Sequence, residues 1–115
     1  TFKIELIKNL INKMSTYTLN DEEGNSFTLK VYTEGKYFIM KLSGTGRNVT
    51  YKNDIAGVLK DARCFPSTVK TVENAVSYLD KFFKNGDAYV FADEDEGTLN
   101  VMVRDGKGYS FEFQE

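Results

Sequence analysis

The chain has 115 residues, 15 of them basic and 17 acidic, with a net charge of −2, a single cysteine and no histidine. A chain of this size can bury one core without metal or disulfide, and one cysteine excludes an internal disulfide and suits a reducing compartment. The missing histidine removes the commonest general base, metal ligand and nucleophile partner, and the near-balanced charge gives no general pull toward nucleic acid or anionic lipid.

The first expected element is a helix over residues 2–14, because Ile4, Ile7, Leu10, Ile11 and Met14 recur at helical spacing opposite lysines and asparagines. Charges at Lys3, Glu5, Lys8 and Lys13 interrupt the segment, so it reads as an amphipathic helix and not as a targeting or membrane segment. A short strand over 16–20 then ends in the acidic turn Asp21-Glu22-Glu23-Gly24-Asn25. From Ser26 to Tyr32, Phe27, Leu29 and Val31 alternate with Thr28, Lys30 and Tyr32, the pattern of a half-buried strand.

Thr33-Glu34-Gly35 suits a three-residue hairpin loop with a glycine bulge, since Glu tolerates positive φ poorly in the competing two-residue turn. That loop pairs Val31 with Tyr37, Leu29 with Ile39 and Phe27 with Lys41 on the inner face. Tyr32, Phe38, Met40 and Leu42 are then directed outward; a two-residue loop would reverse every one of these assignments.

Ser43 to Tyr51, with Gly44 and Gly46, reads as a flexible connection around the sheet end. Asp54 can cap a short helix carrying Ile55, Val58, Leu59 and Ala62 on one side, and Phe65-Pro66-Ser67 opens a longer one with the stripe Val69, Val72, Val76, Leu79 and Phe83. Asn85-Gly86 stops it, and strands over 88–92, 98–104 and 108–114 close the chain. Leu99, Val101 and Val103 can face Phe113, Phe111 and Tyr109 only if the loop around Gly106 has an odd length, which supports the three-residue loop at 33–35 as well.

Residues 2–43, shifted by 72 positions, fall on 74–115 with helix over helix, strand over strand and Asp21-Glu22-Glu23 over Asp93-Glu94-Asp95. The expected fold is therefore a single α+β domain over 1–115, in order α-β-β-β-α-α-β-β-β. Its helices pack on one face of a mainly antiparallel six-stranded sheet, and its similar halves, 2–43 and 74–115, are joined by 44–73.

Little in the sequence points to catalysis. Cys64, between Arg63 and Phe65-Pro66, reads as a small half-buried thiol, and Gly44-Thr45-Gly46 lacks the helix or Lys-Ser/Thr pair that a phosphate loop needs. The run Asp93-Glu94-Asp95-Glu96-Gly97 departs from calcium-loop spacing and reads as a solvated turn or a docking site for a basic surface. Lys30, Tyr32, Lys36 and Phe38 could stack single-stranded nucleic acid, against which the net acidity argues.

The expected outward face of the first half carries Tyr32, Phe38, Met40 and Leu42, whereas its counterpart carries Arg104, Ser110, Glu112 and Gln114. Large apolar side chains need a cover, either the 44–62 segment folded back as a lid or a partner. The functional expectation is a cytoplasmic, non-catalytic interaction module of inhibitor, immunity, anti-defence or adaptor type. It would bind a protein, or a second copy of itself, through Tyr32, Phe38, Met40 and Leu42 and through the acidic turns Asp21, Glu22, Glu23 and Asp93, Glu94, Asp95, Glu96. No cofactor, metal, membrane or nucleic acid is expected. The alternative is a small-ligand binding domain or a histidine-free enzyme with a pocket between sheet and helices.

Overall fold

The computed structural model describes residues 14–62, 65–103 and 109–114; all but Met14 of the expected helix over 2–14, and Cys64, lie outside them. The fold is α+β, as expected, but the expected six-stranded sheet is replaced by two antiparallel sheets, one of four strands and one of three. The four-stranded sheet is the meander β1 (Ser15–Asn20), β2 (Ser26–Glu34), β3 (Tyr37–Gly44) and β4 (Arg47–Asp54). Helices α1 (Ile55–Asp61) and α2 (Val72–Lys84) follow, and β5 (Ala88–Asp93), β6 (Thr98–Val103) and β7 (Tyr109–Gln114) form the second meander.

The unexpected strand is β4. Val49 and Tyr51 point inward between Asn48, Thr50 and Lys52, an alternation that the neighbouring glycines mask in the sequence. Those glycines build a tight hairpin, in which Gly44 pairs with Arg47 and the two loop residues, Thr45 (φ 51°) and Gly46 (φ 80°), both lie in the left-handed region of a type I′ turn. Residues 43–51 are therefore sheet, not a mobile connection or a lid.

The β2–β3 loop also differs from expectation. Glu34 pairs with Tyr37, leaving Gly35 and Lys36 as a two-residue loop with Gly35 at φ 60°, the first central position of a type II′ turn. Val31 then pairs with Met40 and Leu29 with Leu42, which reverses the expected faces. Phe38, Met40 and Leu42 are fully buried, not a partner-binding face, while Lys41 is directed outward. Each of these apolar burials is worth about 1.5–3 kcal/mol, which outweighs Glu34's aversion to a particular turn position, an aversion that this turn avoids in any case. Tyr32 does lie on the outward face, half-buried, opposite Ile39.

One continuous core lies beneath the inner face of the four-stranded sheet. The second sheet covers part of that face, with β5 beside β1 and β7 beside β4, and the helices cover the remainder, α2 against β1–β3 and α1 against β3 and β4. The space between sheet and helices is filled by side chains including Phe38, Tyr51, Val58 and Phe111.

Asp54 caps α1, its Oδ1 accepting from the Gly57 amide at 2.9 Å, as the sequence indicates. Helix α2 begins later than expected, at Val72, capped by Thr71, because Pro66–Val69 forms a separate turn. It buries Val72, Ala75, Leu79 and Phe83 and ends in a Schellman motif, with the Asp87 amide donating to the Phe82 carbonyl and Gly86 at φ 77°.

The halves share a three-strand meander but not a register. Val103 pairs with Tyr109, as expected, whereas Val31, its counterpart, pairs with Met40 instead of Tyr37. The inward positions of β7 are thus those that correspond to outward positions of β3, and the structure does not support two superposable halves.

Candidate functional site

Both acidic turns are built by their first aspartate. Asp21 accepts hydrogen bonds from the amides of Glu23 (3.0 Å) and Asn25 (2.8 Å) and from the Asn25 side chain (3.0 Å). The Asn25 side chain is the main cause that holds the Asp21 carboxyl below its usual range. Asp93 accepts from the amides of Asp95 and Glu96, each at 3.1 Å, and Gly97 at φ 66° closes the turn. These two aspartates are therefore committed to the backbone, and Glu22, Glu23, Glu94, Asp95 and Glu96 are left exposed to solvent.

The sequence places the two turns about 70 residues apart, and the fold brings them together. Asp21 forms a parallel bridge with Val90, the one bridge between the two sheets among the described residues, so that the turns flank an open groove of about 410 Å³. Phe91, one of two exposed large apolar side chains among the described residues, lines this groove with the buried Phe27. Arg47, brought there by the β3–β4 turn, reaches Glu94 at 3.5 Å; with Glu94 80% exposed, the pair contributes little to stability. Among the described residues no three carboxylates converge as a cation would require.

Two tyrosines are pinned by carboxylates at the helices. The Tyr17 hydroxyl donates to Asp80 on α2, and the Tyr51 hydroxyl donates to Asp61 at the end of α1 at 2.7 Å. Burial, then the neighbouring carboxylate, pushes Tyr17 up to about 12 and raises Tyr51 further. Each hydroxyl keeps its proton at neutral pH and is aimed at its own aspartate.

Two further surfaces lie apart from the acidic turns. An apolar groove between α1 and residues 65–70 is lined by Ile55, Leu59, Phe65 and Val69, beside the ring chain Phe65–Tyr78 (5.7 Å) and Tyr78–Phe82 (5.4 Å). Tyr78 and Phe82, four residues apart at the margin of the α2 stripe, are its sequence signal. The other is the outward face of the four-stranded sheet, where Lys30, Lys36, Lys41 and Lys52 are all exposed.

Of the residues expected to bind a partner, Asp21, Glu22, Glu23 and Glu94 line one groove, with Asp93, Asp95 and Glu96 in the same turn as Glu94, and these make the acidic end of the molecule, whereas Phe38, Met40 and Leu42 belong to the core. Phe91 and Arg47, both in the assembled groove, were missed, because nothing local in the sequence shows that β4 and β5 carry them to the same place. No protein-family model matches the chain, and no curated protein matches it. Among the described residues no helix is long and apolar enough to cross a membrane.

Proposed function

We propose that the chain is a non-catalytic protein-interaction module, of inhibitor, immunity, anti-defence or adaptor kind, that docks a basic surface of its partner at the acidic end. The observation that carries this reading is the junction of the two acidic turns around an exposed phenylalanine. An aromatic anchor ringed by charge is the usual anatomy of a binding hot spot, with the charges setting partner choice and encounter rate. Carboxylates spaced along two adjoining turns also resemble the anionic spacing that a basic groove recognises. The absence of histidine and the two tyrosines held protonated against aspartates favour binding over catalysis.

The test is titration calorimetry with a Lys/Arg-rich peptide containing one apolar anchor residue. Glu22→Gln, Glu23→Gln, Glu94→Gln and Asp95→Asn together, with Asp21 and Asp93 kept to preserve the turns, should weaken binding at least about tenfold at low salt. Phe91→Ala should weaken it further at any salt. Affinity unchanged by the four neutralisations overturns the proposal.

A further inference from the structure

The outward face of the four-stranded sheet places like charges side by side. Lys30 on β2 and Lys41 on β3 are directly opposite in the register, flanked in the same row by Thr16 and Thr50. The next row holds Tyr32, Ile39 and Lys52, and beyond it come Glu34, Tyr37 and Asp54. Tyr37 is attended by Lys52, 4.6 Å from its ring centroid, and by Lys36 at 5.4 Å.

Like charges directly opposite on adjacent strands destabilise a sheet. Among the described residues no carboxylate lies within ion-pair distance of Lys30, Lys41 or Lys52, and the nearest acids of this face, Glu34 and Asp54, are two rows from the Lys30–Lys41 pair. Water and salt screen these exposed ammonium groups in part, and an anion from outside would relieve the repulsion further. A lysine face with half-buried tyrosine rings is complementary in charge and in aromatic character to a groove rimmed by carboxylates and lined by a phenylalanine, and this chain carries such a groove.

We infer that the partner of the acidic end is the Lys30–Lys41–Lys52 face of a second copy of the chain. This rests on the reading of the acidic end given above and adds the identity of its partner. The carboxylates of Glu22, Glu23, Glu94, Asp95 and Glu96 meet the four lysines, and Phe91 meets Tyr32 and Tyr37. Because the two surfaces differ, the contact is head-to-tail and leaves one free surface of each kind. Assembly therefore grows with concentration instead of stopping at a symmetric dimer.

Sedimentation velocity over a concentration series, at about 20 and 500 mM salt, tests the inference. The wild-type chain should show a mass that rises with concentration at low salt and returns to monomer at high salt. Lys30→Glu, Lys41→Glu and Lys52→Glu together should weaken this association at least about tenfold while the basic peptide still binds. Glu22→Lys, Glu23→Lys and Glu94→Lys together should abolish both. Neither charge-reversed variant should assemble alone, and the two mixed should form a complex. A parallel set with Lys→Gln replaces the Lys→Glu variant if thermal melts show that it does not fold.

A wild-type monomer at every concentration at low salt, with the basic peptide still bound, overturns the self-contact and leaves the acidic end's role standing. Failure of the peptide as well overturns both. If a fluorescent oligothymidylate binds wild type, is released by the lysine substitutions and leaves the chain monomeric, the face belongs to nucleic acid and the inference is wrong.

Discussion

The rings of Phe38 and Phe111 stack 6.1 Å apart and 20° from parallel, joining β3 of one sheet to β7 of the other, with Tyr51 edge-on to both. Both phenylalanines are fully buried, so this contact fixes how the sheets face one another. Phe38→Ala should cost about 3–5 kcal/mol, read as a lower urea midpoint, and Phe38→Asp should leave no folded protein. Tyr32→Ala, on the opposite face of the same sheet, should cost less than about 1 kcal/mol. Equal effects at the two positions would contradict the register.

A second packing constraint lies at Gly44. A Cβ there would stand 2.7 Å from the Phe27 ring and 2.8 Å from the Ser26 carbonyl oxygen. Gly44→Ala should therefore destabilise by about 1–3 kcal/mol. In a double-mutant cycle, Phe27→Leu should recover part of that loss, and strict additivity would show that the ring is not what the methyl group meets.

The β3–β4 turn places a β-branched residue in the left-handed region, with Thr45 at φ 51°. Asn adopts that conformation far more readily, and Asn-Gly is the preferred type I′ pair. Thr45→Asn should stabilise by about 0.5–1 kcal/mol, seen as a melting temperature higher by about 2–4 °C. A lower melting temperature would argue against the turn type.

Alkaline stability should follow the two buried tyrosines. Tyr17 is raised to about 12 and Tyr51 higher, against about 10 in the unfolded chain, so above pH 10 the folded state binds more protons than the unfolded one. Their contribution is complete below pH 10 and falls as pH rises through the folded-state values. Urea midpoints between pH 9 and 12 should decline steeply for wild type and less steeply for Tyr17→Phe, with Tyr17→Phe/Tyr51→Phe flattest of the three. Identical slopes would mean that the hydroxyls do not differ between the folded and unfolded states.

Strand positions and helix ends were legible wherever local chemistry decides them. Asp54 and Gly86 mark helix ends by capping alone, and β6 and β7 take the expected pairing of Val101 with Phe111. What failed was decided by residues distant in sequence. Glycines on both sides of Thr45 look like a loop until Val49 and Tyr51 find the inner face, and the turn at Gly35 is set by where Phe38 and Met40 are buried. The β2–β3 and β6–β7 hairpins differ in register by a change of parity, and that parity alone separates outward Phe38, Met40 and Leu42 from buried ones. The acidic site was legible as composition; its convergence was not, because it depends on the Asp21–Val90 contact.

Among the described residues that contact is a lone backbone clasp between the sheets. Elsewhere β1 and β5 are neighbours without a ladder, so the rim of the groove is the seam at which the two sheets can breathe apart while the stacked phenylalanines hold the far side closed. Amide hydrogen exchange near residues 21 and 90 would then outpace that of β6 and β7, and a ligand gripping both acidic turns would slow it by acting as a staple across the seam.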